Sequence, residues 1–250
     1  LGRTIPILAY HKVDTEAPTR FWIRTDSFEL QMALLRERGH ETVSLEDLWL
    51  FANGAAGLPR KSVCITFDDG YENFFSRAFP ILRKYGFKAT VFLPTAFIGT
   101  DCRHSNEWDR SPEESFFRAD HMLWTEVLQL QKYGMEFGAH TRTHADLVRL
   151  LMTDPEQAEA EIAVSKNDLE DRLTVKAKFF SYPYRSSNSC LEEMVRRAGF
   201  LGAVIMNNKA FDLSDGNWFQ MDRIPVFSGV PGRSDKELRA DFLALLGEKI

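Results

Sequence analysis

A chain of 250 residues with 44% hydrophobic content holds enough apolar material for one sizeable core, so 1–250 is expected to fold as a single domain. Its net charge of -5, with no Lys/Arg stripe, excludes a nucleic-acid partner, because phosphate binding needs clustered positive charge. No stretch is apolar enough to cross a bilayer and no signal peptide is visible, while opening on Leu1 rather than Met leaves room for a trimmed leader or a membrane anchor.

Strand-like and helix-like patterns alternate along the chain without linkers or repeats, which is the order of parallel βα units. The first strand is expected over 5–9, Ile-Pro-Ile-Leu-Ala. After a polar loop, an Asp26-x-x-Glu29 capping box opens a helix that sets Phe28, Met32 and Leu35 on one face and stops at Gly39. Ser44 caps a second, short helix. A buried strand over 62–67 follows, then a helix over 73–85 ended by Gly86 and a strand over 89–93. Residues 95–124 carry little periodicity, and unpatterned segments of that length are usually functional, so about 97–124 reads as an insertion over the active face.

A helix from Thr125 stops at Gly134 and gives way to a strand over 135–139. Asp154-Pro155 is an N-cap with proline in the first turn, opening a long charged helix to about Leu173. A strand over 179–182, a helix over 189–198 closed by Gly199, strands over 201–206 and 223–227, and an amphipathic helix over 234–246 complete the pattern. The strands number about seven. The three cysteines, Cys64, Cys102 and Cys190, lack metal-ligand spacing and do not fix the redox compartment.

In parallel barrels the catalytic groups gather at the carboxyl ends of the strands. Here Tyr10-His11 follows the first strand and Thr66-Phe67-Asp68-Asp69-Gly70 ends the second. His140-Thr-Arg-Thr-His144 follows the strand over 135–139, and Tyr182-Pro183-Tyr184 ends the next. Asp69, His140 and His144 offer one oxygen and two nitrogens to a divalent metal and leave positions for water and substrate. Zinc is the first expectation, and the ligand types also admit cobalt, nickel or ferrous iron. Asp68 is then free to accept a proton.

The bland readings are a polar Asp-Gly turn and two solvated loop histidines; their joint placement at strand ends favours the metal site. For His11 the bland reading is a structural histidine satisfied by its neighbours after a strand. His40, His104 and His121 are read as surface or insertion residues, with His104 and His121 as secondary substrate contacts. Trp108 and Trp124 are candidates to stack on sugar rings, against the commoner fate of core packing, and 106–110 is polar enough to line a groove.

With these motifs in this order, the chain resembles the polysaccharide deacetylases of carbohydrate esterase family four, from about Ile5 to Val226. The opening Pro-Ile-Leu-Ala-Tyr-His-Lys-Val over 6–13 is similar to a subgroup that includes deacetylases acting on poly-N-acetylglucosamine. The resemblance implies a deformed (β/α) barrel of about seven parallel strands and metal-dependent removal of N-acetyl groups from an N-acetylated glycan. It implies Asp68 as base, Asp69, His140 and His144 as metal ligands, and the Tyr184 backbone N–H as a donor to the oxyanion. It favours the cell envelope or secretion, with the cytoplasm as the alternative.

The chain departs from the family pattern in two places. The late Leu-x-His motif is absent, Met221-Asp-Arg-Ile-Pro-Val226 standing instead, so His11 becomes the candidate acid as in the resembled subgroup. Ser181 stands where the family's arginine braces the base, leaving Arg185 and Arg223 as candidate substitutes and as candidate substrate contacts. Competing functions are hydrolysis of a small-molecule C–N amide in a closed pocket and carbohydrate binding without turnover.

Overall fold

The computed structural model describes residues 3–17, 21–105, 119–214, 216–227 and 234–248. The chain runs through β1 (Thr4–Ile5), β2 (Ile7–Tyr10), β3 (Lys12–Asp14), β4 (Trp22–Arg24), α1 (Thr25–Glu37), β5 (Glu41–Thr42), α2 (Leu45–Ala52) and β6 (Ser62–Phe67). A π-helical turn at Phe74–Ala78 leads into α3 (Phe79–Tyr85), followed by β7 (Thr90–Leu93), α4 (Trp124–Lys132), β8 (Glu136–Ala139), α5 (Leu147–Thr153) and α6 (Pro155–Leu173). The last stretch holds β9 (Phe179–Ser181), α7 (Ser189–Arg197), β10 (Gly202–Met206), β11 (Phe211–Asp212), β12 (Met221–Pro225) and α8 (Asp235–Leu245).

Seven strands close a ring in the order β2, β6, β7, β8, β9, β10, β12 and back to β2, every pairing parallel. These are the seven strands expected from the sequence, each shifted by at most a few residues. The architecture is therefore a deformed (β/α) barrel. Residues two apart on a strand share a face, and the ring sorts them accordingly. Ile7, Cys64, Phe92, Phe179, Val204 and Met221 cluster with Leu45 and Leu48 of α2, filling the lower lumen. Their neighbours Leu8, Ile65, Val91, Phe180, Ala203 and Ile224 belong to the other core, beneath the helices.

Expected signals at the helix ends were met unevenly. Ser44 forms its capping box with Asp47, and the Asp154 side chain caps α6. The Asp26-x-x-Glu29 box is not formed: α1 starts at Thr25 directly after β4, Asp26 in its first turn pairs with Arg24, and Glu29 reaches Lys84 instead. The polar loop before α1 contains a parallel pair, β3 on β4, that no periodicity announced, and α5 was likewise unforeseen.

The flanks of the expected insertion are tied together by bridges at Gly99 with Leu123 and Ser105 with Asp120, and by Arg103 donating twice to Glu126 at 2.7 and 2.5 Å. Trp108 and the 106–110 stretch lie outside the described residues. Among the described residues no helix is long and apolar enough to cross a membrane.

Gly138 on β8 marks how tightly the lumen is filled. A β-carbon there would sit 2.5 Å from the Phe92 ring and 2.7 Å from the Phe179 carbonyl oxygen. Gly138→Ala should therefore destabilise the fold by about 1–3 kcal/mol through overpacking, read as a lowered midpoint in urea unfolding; an unchanged midpoint would show that the ring has slack.

Candidate active site

Above the apolar layer the lumen turns polar. Cys64, Thr66 and Asp68 follow one another on one face of β6 and its end, and Met221 and Arg223 do so on β12. Arg223 and Asp68 are 0% and 1% exposed by side chain. Arg223 Nη1 donates to Asp68 Oδ1 at 2.7 Å and Nη2 to Oδ2 at 2.6 Å, a two-pronged pair. The same guanidinium donates to Thr66 Oγ1 at 3.0 Å and Ser181 Oγ at 2.9 Å, and it lies 5.5 Å from the Phe92 ring centroid, at the border between the layers. Since β6, β9 and β12 are not neighbours in the ring, these bonds cross the lumen. Burial pushes the Asp68 carboxyl up, but Arg223, and after it His140, hold it below the usual carboxylate range.

Arg223 thus occupies the bracing position that the sequence left open between two arginines, and being wholly buried it is no substrate contact. The small Ser181 leaves the room that it fills. Arg185 instead donates Nε to the Met206 carbonyl at 2.8 Å. The signal available in the sequence was a lone arginine inside a strand, in phase with the lumen-facing Met221.

Asp69 and Gly70 are both left-handed, φ 71° and 63°, which turns the chain off the strand end. Glycine suits the left-handed turn at Gly70, where a β-carbon would lie 2.6 Å from Leu93 Cδ2 and push that side chain aside. Asp69 Oδ1 then sits 3.3 Å from His140 Nε2 and 3.3 Å from His144 Nε2. All three candidate ligand atoms lie within 4.8 Å of one another. His140 Nδ1 faces the Ser181 carbonyl at 2.8 Å. A carbonyl only accepts, so in the neutral ring Nδ1 carries the proton and Nε2 presents its lone pair. His144 Nδ1 lies 3.2 Å from the Tyr184 hydroxyl. Asp69 Oδ1 has no hydrogen-bond donor despite being buried. An acceptor oxygen facing two ring nitrogens without a hydrogen bond is the arrangement that a cation resolves, so these residues fit a divalent metal.

Among the described residues, seven non-glycine positions have left-handed φ, and five of them are Asp69, Thr141, His144, Tyr184 and Arg185. Such conformations cost on the order of 1–3 kcal/mol each. Their concentration here marks the loops that carry Asp69, His144 and Tyr184 as the strained part of the fold. Tyr184 is 49% exposed and its ring packs 4.8 Å from that of His144, at the rim. His11 is half-buried, its ring 5.1 Å from Phe21, which in turn touches Phe227. Burial pulls the His11 imidazole down, opposed by Asp69 and Asp68.

Other expected contacts were moved. Trp124 is 6% exposed, packed in the core under the Arg172 guanidinium, so its ring has no face for a sugar. His40 is buried against Glu248, and His121 is fully buried, stacked on Tyr71 and bonded through Nδ1 to the His104 carbonyl, with burial pushing its imidazole down to about 4. His104 alone of the three is exposed.

The Bacillus subtilis protein YxkH, whose name associates it with polysaccharide deacetylases, is 26% identical over 91% of this chain and 73% of its own length. Poly-beta-1,6-N-acetyl-D-glucosamine N-deacetylases are 25% identical in Escherichia coli (strain K12), over 87% of this chain and 35% of that protein, and 27% identical in Staphylococcus aureus (strain MSSA476), over 79% and 65%. The chain thus spans about a third of the former enzyme and just under two thirds of the latter. The same fold recurs in the Streptococcus pyogenes deacetylase PplD, solved in complex with acetate, at TM-score 0.78 and 23% identity over 95% of this chain and 97% of that one. IcaB from Ammonifex degensii matches at TM-score 0.74 and 22% identity over 96% and 97%. The polysaccharide deacetylase model matches residues 55–203, which include Asp68, Asp69, His140, His144 and Tyr184 but neither His11 nor Arg223. Matched over more than half its length, the chain belongs to the polysaccharide deacetylase family and is an enzyme of that carbohydrate esterase class.

Proposed function

We propose that the protein hydrolyses N-acetyl groups of an N-acetylhexosamine polysaccharide or glycan precursor, with 1–250 as one catalytic domain and about 97–124 as its insertion. The observation that carries this reading is Asp69 Oδ1 placed 3.3 Å from two imidazole Nε2 atoms while the neighbouring Asp68 is tied to Arg223. The named relatives support poly-N-acetylglucosamine as the substrate class. The reading also places the enzyme at the cell envelope or outside the cell.

Asp69, His140 and His144 would hold a divalent cation, zinc first, with cobalt, nickel and ferrous iron as alternatives. When bound, such a cation supplies Lewis acidity to the acetamide carbonyl and acidifies a water. Asp68, ionised and fixed by Arg223, takes the proton from the attacking water. The Tyr184 backbone N–H donates to the oxygen that gains charge. His11 gives a proton to the departing sugar nitrogen as the C–N bond breaks, leaving acetate and a free amine.

Acetate release from N-acetylglucosamine oligomers, paired with metal analysis, tests these assignments. Asp68→Asn should keep the metal and lose nearly all turnover, whereas His140→Ala should lose the metal itself. Equal metal loss in both would contradict the division of labour. His11→Ala should slow deacetylation at unchanged metal content, and full turnover in it would move the acid elsewhere.

Arg223→Ala would leave Asp68 charged and unpaired in the interior, costing about 3–5 kcal/mol. Arg223→Lys keeps the charge without the fork. It should fold with a smaller loss of Tm yet release acetate more slowly. An Arg223→Ala protein as stable and active as the parent would remove the brace from the account.

A further inference from the structure

We infer that Glu161 of α6 is the residue that holds the loop between the two histidine ligands in its working shape, an inference that rests on the metal reading above. Glu161 is 3% exposed, on the buried face of α6 with Ala158, Ile162 and Ser165. A carboxylate there needs partners. None of the ion pairs found among the described residues involves it.

Its partners come from the loop. Glu161 Oε2 accepts the backbone N–H groups of Arg142 at 2.9 Å and Thr143 at 2.8 Å, and Oε1 accepts the Thr143 hydroxyl at 2.8 Å. The Arg142 N–H also reaches the Glu161 carbonyl oxygen at 3.1 Å. Two of the three residues between His140 and His144 are therefore gripped by one side chain from another element.

The loop requires such a grip because it is bent. Thr141 and His144 both have left-handed φ, 60° and 57°, and a β-branched threonine is sterically disfavoured there. Left alone, the segment would relax and carry the His144 imidazole away from Asp69. Consecutive N–H groups turned to one side form a concave donor site that calls for an anion, and Glu161 fills it. The turn after β7 adds two backbone bonds, Thr95 N–H to the Thr141 carbonyl at 3.3 Å and Ala96 N–H to the Arg142 carbonyl at 2.9 Å. Glu161 is thus a positioning residue: it touches no substrate and no ligand atom of the metal site.

The test is zinc affinity of the full chain, stripped and titrated against a chromophoric chelator, for the parent and for Glu161→Gln, Glu161→Ala and Thr143→Val. Amide exchange at Arg142 and Thr143 and the Tm of the metal-free proteins are read alongside. Glu161→Gln keeps acceptor capacity for the two N–H groups and should bind zinc within a few-fold of the parent. Glu161→Ala should lose about tenfold or more in affinity, with faster exchange at the two amides and preserved exchange in β8. Thr143→Val, which removes only the hydroxyl bond, should fall between them.

Unchanged affinity and unchanged exchange in Glu161→Ala would overturn the inference, as would a lowered Tm with affinity intact. Should Glu161→Ala fail to fold, Thr143→Val decides: an affinity and exchange identical to the parent would count against it. A parent protein that binds no zinc in the same titration would instead overturn the metal reading, which is a separate failure.

Discussion

Asp68 and Asp69 are adjacent, both buried, and each needs a positive partner of its own, because an unpaired charge in a protein interior costs several kcal/mol. The fold separates them by turning the chain left-handed at Asp69 and Gly70 where β6 ends. Asp68 stays with the lumen and meets Arg223 from β12; Asp69 swings to the rim and meets the two imidazoles. The same turn that solves the electrostatic problem sets the arginine-paired carboxylate beside a group of three residues that could hold a metal ion, the arrangement on which the proposed function rests. One carboxylate is neutralised by a permanent cation of the protein, and the other faces two imidazole nitrogens at 3.3 Å.

The barrel makes this possible by layering its interior. Ile7, Cys64, Phe92, Phe179, Val204 and Met221 fill the lower lumen with apolar volume, and Gly138 yields its side-chain space to the Phe92 ring. On that floor, Thr66, Ser181 and Arg223 form a closed hydrogen-bonded set with Asp68. Buried hydrogen bonds linked in this way hold their members rigidly, Arg223 Nε alone among the guanidinium nitrogens lacking an acceptor. The strained loops stand above it, and the cost of their left-handed residues is offset by bonds from outside the loops, Glu161 to the His140–His144 segment and the Ser181 carbonyl to His140.

The barrel strands were legible because a period-two or fully apolar run bounded by Gly and polar caps has few other readings, and strand ends then located Asp68, Asp69, His140, His144 and Tyr184. Arg223 was legible only as a possibility: its partner lies 155 residues away, and nothing local says which carboxylate a buried arginine will find. Glu161 looked like one charge among many on a long charged helix, because burial of a polar side chain depends on which loop lands on it. Trp124 and His121 show the converse, with residues near an apparent insertion drawn into the core by the bridges that tie its flanks. The false capping box at Asp26 has a local cause. An arginine two residues earlier competed for the carboxylate, and the short β3–β4 pair fixed the helix start two residues too early for Asp26 to serve as cap.

The most direct measurement of the central claim is diffraction from crystals soaked in zinc, with data collected on both sides of the zinc absorption edge. The account predicts one strong anomalous peak per chain at coordination distance from an Asp69 carboxylate oxygen, His140 Nε2 and His144 Nε2, with Asp68 still paired to Arg223 and outside that distance. A peak ligated by Asp68 in place of Asp69, or no peak between the two imidazoles at saturating zinc, would contradict it.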